Sequence, residues 1–221
     1  MPAKTAKPSS PPPPPPPPSV AVAAETSPNP TTAPGTASPL AGGGGNNALL
    51  GGGKCPDAQA ALDATNAYRA RHSSPSLQWS VSLAASSQDY AELLAKTCNL
   101  VHSGSQEFGE NLMKIATYPK VTDYSCTSSI DNWYEEVGYY SFTQTPMTDN
   151  WSKGVGHFTQ LVWRATTAVG CGVAIADKPT TLPSGKSLMG SCKVVVCRYK
   201  PFGNVGSDPA FLANVLPQVR K

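Results

Sequence analysis

The chain has little charge. Only 14% of its 221 residues are Asp, Glu, Lys or Arg, and they balance to +3. Residues 1–53 hold Lys4, Lys7 and Glu25, so the +2 left for the remainder is small and dispersed. That excludes a nucleic-acid partner, which calls for a concentrated basic face. No hydrophobic run approaches the length of a membrane helix, so no transmembrane segment is expected. No CxxC pair occurs, which argues against a structural zinc knot, and no HExxH occurs, which argues against a metalloprotease helix. Ser19 to Ala24 is too short and too weakly apolar for the core of a signal peptide. The expectation is that a leader was removed or replaced.

Proline is abundant instead, but unevenly placed. Of 23 prolines, 14 fall in the first 39 residues, including the unbroken run Pro11 to Pro18. Glycines 42–45 and 51–53 follow. Such a segment has too little apolar surface to offset the entropy of ordering it. It predicts a disordered tail over 1–53, part polyproline rod and part flexible tether. One folded domain then covers 54–221. All six cysteines (Cys55, Cys98, Cys126, Cys171, Cys192 and Cys197) lie in that domain. An even number spread through a domain points to disulfides and an oxidising, extracellular location.

Within the domain, Asp57–His72 reads as a first helix, with Ala61, Leu62, Thr65 and Tyr68 on its inner face. His72 sits beside the turn after it, as a surface or packing residue. Leu77 and Trp79 are buried anchors. A second helix follows, with Ser80 as its N-cap and Leu83, Ala84, Ser87, Tyr90, Ala91 and Leu94 facing inward. Glu110 to Met113 is a short extended segment, and Val121 to Val137 a third helix. Residues 138–155 read as an aromatic-rich loop carrying the glycosylation sequon Asn150-Trp151-Ser152. Gly156 to Cys171 is a short helix passing into a strand, with Phe158, Leu161 and Val162 on the buried face. Val194 to Tyr199 is a strand, and residues 201–204 a turn. The remainder to Lys221 reads as an irregular tail.

Five ordered motifs carry a family resemblance: CNLVHSG, GENL, NWYEE, GHFTQLVW and CRYKPFGN. Together they resemble the CAP superfamily of cysteine-rich secretory proteins, antigen five and the pathogenesis-related one proteins of plants and fungi. The match runs from Ala61 to Val205, and the proline-rich tail is most like fungal members. The resemblance implies an α+β fold, a three-layer α-β-α sandwich. It also implies the pairings Cys171–Cys197, Cys98–Cys192 and Cys55–Cys126.

The resemblance further implies a cleft in which His102, Glu110, Glu136 and His157 converge. Two imidazoles and two carboxylates suit zinc or another divalent cation. The same groups without metal can form a structural hydrogen-bonded network, and a water held among them can be activated for hydrolysis. A second implied function is binding of a small lipid, a sterol or a fatty acid. Sterol-carrying members have an aromatic-x-aromatic-x4-aromatic pattern before GHFTQ, matched here by Tyr140, Phe142 and, at the third position, Met147. The departure to methionine predicts weak sterol binding, with Met147→Phe improving it. The expected function is therefore a secreted lipid-binding protein of defence or host–pathogen interaction. The competing readings are a metal-dependent hydrolase and a module for a host or receptor protein. No serine or cysteine nucleophile stands out, which favours binding over catalysis.

Overall fold

The structure is a computed structural model that describes residues 50–181 and 184–219. Of the tail expected over residues 1–53, residues 1–49 lie outside the described residues. Four residues assigned to it, Leu50 to Gly53, already belong to the domain. Leu50 packs against the core, and the Gly51 carbonyl accepts from the Trp79 indole at 3.0 Å.

The element order is α1 (Ala58–Arg71), β1 (Gln78–Trp79), α2 (Val81–Thr97), β2 (Gly109–Thr117), α3 (Thr127–Glu135), α4 (Pro146–Asn150), α5 (Gly156–Val162), β3 (Ala168–Thr181), β4 (Ser187–Lys200) and α6 (Asp208–Asn214). Single 3₁₀ turns cover Glu136–Tyr139 and Trp151–Lys153. The sheet order is β1-β3-β4-β2, with β1 parallel to β3 and the other pairs antiparallel.

The period of two along β4 explains why both faces are covered. Val195, Cys197 and Tyr199 join the core formed with α1, α3, α5 and α6. Cys192, Val194 and Val196 join a second core under α2. β3 alternates likewise, and its Gly170 and Gly172 face α2. A Cβ on Gly170 would lie 2.2 Å from the Ala84 amide nitrogen, and one on Gly172 would lie 2.3 Å from that of Gln88. The two glycines thus let the α2 backbone lie directly on the strand. Helices on both faces of one sheet make the three-layer α-β-α sandwich. Cys55–Cys126, Cys98–Cys192 and Cys171–Cys197 are the disulfides, and no cysteine is free.

Three segments differ from the sequence reading. The third helix begins at Thr127, not Val121, because Val121 donates to Ser191 Oγ and Asp123 turns back onto Ser125 and the buried Lys193. The expected loop over 138–155 contains α4, started by Pro146 at its first turn. The irregular tail contains α6, whose N-cap Ser207 accepts from the Ala210 amide.

Candidate functional site

The site is a cleft of about 380 Å³ where the motifs meet, lined by His102, Glu110, Asn111, Trp151, His157 and Asn204, with Gly154 and Gly156. A neighbouring hollow of about 250 Å³ shares His102, Glu110 and Asn204 with it.

His157 occupies the second position of α5. Trp133 of α3 stacks on its ring, with centroids 5.8 Å apart. Its Nδ1 meets Glu136 Oε1 at 2.6 Å. The other carboxylate oxygen, Glu136 Oε2, accepts the backbone N–H groups of His157 and Phe158, each at 3.0 Å. Two otherwise orphaned amides at the start of α5 are satisfied this way. Asn111, from the GENL motif on β2, donates to the His157 carbonyl at 3.0 Å. Asn204 closes the other side, accepting from Thr159 Oγ1 and donating to the Gly156 carbonyl. Gly203 donates to Gln160 Oε1 at 2.8 Å, and a Cβ on Gly203 or Gly109 would collide with the Gln160 amide. The GHFTQ, GENL and PFGN motifs are therefore pieces of one packed unit.

Glu110 sits opposite. Its side chain is only 5% exposed, whereas that of His102 is 61% exposed. His102 Nδ1 lies 3.4 Å from Glu110 Oε1, which also accepts the Ser103 amide at 2.8 Å. Glu110 Oε2 accepts from Nε and Nη2 of Arg198, both at 3.1 Å. Burial pushes the Glu110 carboxyl up, but hydrogen bonds from His102, Ser103 and Arg198 outweigh it and hold the group at about 2. Arg198 is fixed between the Phe108 and Tyr90 rings, with its guanidinium carbon 4.1 and 5.0 Å from their centroids.

Of the four residues expected to converge, His102, Glu110 and His157 line the cleft, while Glu136 is not in its lining and is bonded to His157, so the four form two His–Glu pairs. Among the described residues, no three His, Cys, Asp or Glu side chains are grouped to hold one ion. Both carboxylates are engaged, Glu136 by two amides and an imidazole, Glu110 by an arginine, an amide and an imidazole. The groups that fit a metal are the two imidazoles, each with its Nδ1 turned to a carboxylate. That is the outer-shell arrangement that fixes ring orientation in metal-binding histidines.

Tyr140, Phe142 and Met147 do not share one surface. Tyr140 is buried, and desolvation pushes its hydroxyl up to about 12. Phe142 is 40% exposed and packs edge-on against Tyr140. Tyr140 and Phe142 line a groove of about 140 Å³ with Pro146, Leu212, Val215 and Pro217. Met147 is not among its lining residues. It packs on the core beside Gly206, because α4 turns it one position away from Pro146. The Asn150 sequon is also displaced from its expected role. Asn150 is 0% exposed, and its amide nitrogen donates to the Ser141 and Pro146 carbonyls. A glycan has no access to that nitrogen. Of the surface and packing roles open to His72, the structure gives it the packing one: the ring is fully buried. The sequence reading missed Trp151, 50% exposed on the cleft rim, although the aromatic richness of its loop was the available signal.

The sequence profile of the cysteine-rich secretory protein family, CAP, matches residues 62–199. The chain belongs to the CAP family. It is 36% identical over 154 residues to Protein PRY2 of Saccharomyces cerevisiae, covering 69% of this chain and 39% of PRY2. The chain therefore spans well under half the length of that relative. It is 38% identical over 159 residues to the human Golgi-associated plant pathogenesis-related protein 1, covering 71% of this chain and 90% of the human protein. The crystal structure of NaASP2 with Zn2+ superposes with a TM-score of 0.53 at 20% identity, over 76% of this chain and 92% of that one. The likeness shows the same CAP fold.

Proposed function

We propose that this CAP domain works outside the cytosol as a non-enzymatic carrier of a fatty-acyl lipid, held along the Phe142 groove. The observation that carries this reading is the groove itself. A ring exposed at 40% stands beside Pro146, Leu212, Val215 and Pro217, which form an apolar side to a trough that also carries Thr143 and Gln144 and has no charged side chain in its lining. At about 140 Å³ the trough is small against the roughly 300–1,000 Å³ of drug-sized ligand pockets. A single narrow alkyl chain suits so small a volume better than a fused sterol ring system. Three disulfides support an oxidising compartment and secretion. Mass spectrometry of lipids co-purified with the native full chain tests the reading. Fatty acids at near-stoichiometric amounts are expected, and a lipid-free protein that takes none up would overturn it.

A second reading is supported by the paired histidines. His102 and His157 hold a divalent cation such as zinc in the cleft, with Glu110 and Glu136 orienting their rings. When bound, such an ion supplies a Lewis acid and a point of attachment for an oxygen-rich partner. The metal-dependent hydrolase reading finds less support. A metal-bound water would need a free general base, and among the described residues the carboxylates beside the imidazoles are both spent, Glu136 on two amides and a ring and Glu110 on Arg198, Ser103 and a ring, with the Glu110 carboxyl held down at about 2.

A further inference from the structure

The cleft and the hollow beside it share His102, Glu110 and Asn204, and so make one trough with an exposed aromatic ring in each part. Trp151, half-exposed, lines the first, and Phe202, 42% exposed, lines the second. Both rings sit on tied-down turns. Trp151 stands edge-on to Phe211, with centroids 6.2 Å apart. Phe202 is followed by Gly203, whose amide donates to the buried Gln160 at 2.8 Å, and by Asn204, whose side chain bridges Thr159 and Gly156. Neither ring belongs to the buried cores.

The bare polar atoms of the trough are acceptors. Asn111 is only 1% exposed, yet it lines the cleft. Its Nδ2 donates to the His157 carbonyl at 3.0 Å and to the Tyr199 hydroxyl at 3.4 Å. A carbonyl only accepts, so this fixes the orientation of the amide. Asn111 Oδ1 is left with no donor among the described residues. The imidazoles add two more acceptors. Each turns Nδ1 to a carboxylate, so Nδ1 carries the hydrogen and Nε2 of the neutral ring accepts. Among the described residues neither Nε2 has a hydrogen-bond partner. A ligand suited to this trough therefore brings several donors.

Charge narrows the class. No lysine or arginine lines either hollow, and the lining carboxylate of Glu110 is already paired with Arg198. A sulfated, phosphorylated or carboxylated ligand finds no cation there. An extended peptide brings a carbonyl for every N–H, and those carbonyls would face acceptors. A neutral sugar chain meets both conditions. Its hydroxyls donate, and the C–H face of a sugar ring packs flat on an aromatic side chain. The hollows, about 380 and 250 Å³, together fall within the roughly 300–1,000 Å³ of ligand pockets.

We propose that the two hollows form one binding site for a neutral oligosaccharide, stacked on Trp151 and on Phe202 and hydrogen-bonded to Asn111 Oδ1. The site shares no lining residue with the Phe142 groove. The inference rests on neither the fatty-acyl reading nor the cation reading, although it uses the same two imidazoles as the latter.

The test is calorimetry of the full chain, stripped of lipid and kept in chelator, against neutral hexasaccharides of glucose, of mannose and of N-acetylglucosamine. At least one should bind saturably at one site. Trp151→Ala and Phe202→Ala should each weaken that binding about threefold to tenfold, the loss of one aromatic contact. If either variant does not fold, nuclear Overhauser effects in the unmodified chain decide: sugar protons should be connected to the Trp151 and Phe202 rings, and their absence there overturns the site. It is also overturned if none of the three sugars binds, or if either variant binds as tightly as the unmodified chain. Tighter binding of a heparin-derived hexasaccharide or of an uncharged polar hexapeptide would overturn it as well. A chain that binds the sugar but takes up no fatty acid or no zinc refutes only the reading that named that ligand.

Discussion

Glu136 and His157 are joined twice. Glu136 Oε1 holds the His157 ring at Nδ1, while Oε2 accepts the N–H of the same residue and of Phe158. One carboxylate therefore orients the imidazole and caps the helix that carries it. No side chain of the preceding Val155 can do so. Removing the carboxylate in Glu136→Ala should cost about 2 kcal/mol in urea unfolding, at the upper end of cap losses. Glu136→Gln retains an acceptor for one amide and should cost less than half as much.

Glu110 makes the domain acid-sensitive. Its folded pKa of about 2 lies below the ordinary value of 4.5. Its stabilisation is therefore complete above about pH 4.5 and is lost as pH falls through about pH 2. The amount is on the order of 3 kcal/mol for a group this well buried. Unfolding midpoints measured across that window should fall steeply for the native chain, and less steeply for Glu110→Gln.

Arg69 is fully buried, and its fork reaches four backbone carbonyls, those of Pro75, Leu161, Trp163 and Thr166. These knit α1 to both ends of the turn between α5 and β3. A lysine ammonium cannot span them, so Arg69→Lys should destabilise by about 3 kcal/mol or more. Denaturant unfolding of the variant checks this, and a loss under about 1 kcal/mol would mean that other groups hold the turn.

The disulfides should rank by the loop each closes. Replacing Cys55 and Cys126, 71 residues apart, by serine should cost roughly 4 kcal/mol. Replacing Cys171 and Cys197, 26 apart, should cost roughly 3.5 kcal/mol. Thermal unfolding of both double variants gives the order.

Much of this architecture was legible in the sequence, and the reasons differ by element. Ser80 was readable as an N-cap because its role is local, and it accepts from Leu83 as expected. The six cysteines and five motifs carried the disulfides and the CAP sandwich. The start of α3 was not legible, because its cap comes from far away. Asp57, placed at the head of the first helix, accepts the Cys126 and Thr127 amides instead. Glu136 capping α5 is the same kind of event, and no rule of local spacing contains it. Met147 was misplaced because a pattern of spacings assumes one conformation for the loop, and α4 rotates the third position out of line.

That displacement reverses an expectation. Met147→Phe should leave sterol binding unchanged, since residue 147 does not line the groove. A cholesterol titration of both proteins checks it.

For the cation reading, His102→Ala and His157→Ala should each abolish zinc uptake measured by calorimetry. Glu136→Gln should weaken it by about 10–100-fold through the ring it orients. Equal uptake by all variants would place the ion elsewhere.

The most direct measurement for the proposed function is a fatty-acid titration of the full chain against Phe142→Asp, with urea unfolding of both proteins alongside because the ring also packs on Tyr140 and His72. The unmodified chain should bind saturably at one site, and the aspartate variant at least about tenfold more weakly, the equivalent of about 1.4 kcal/mol. Absence of saturable binding, or equal binding by the two proteins, would contradict the account.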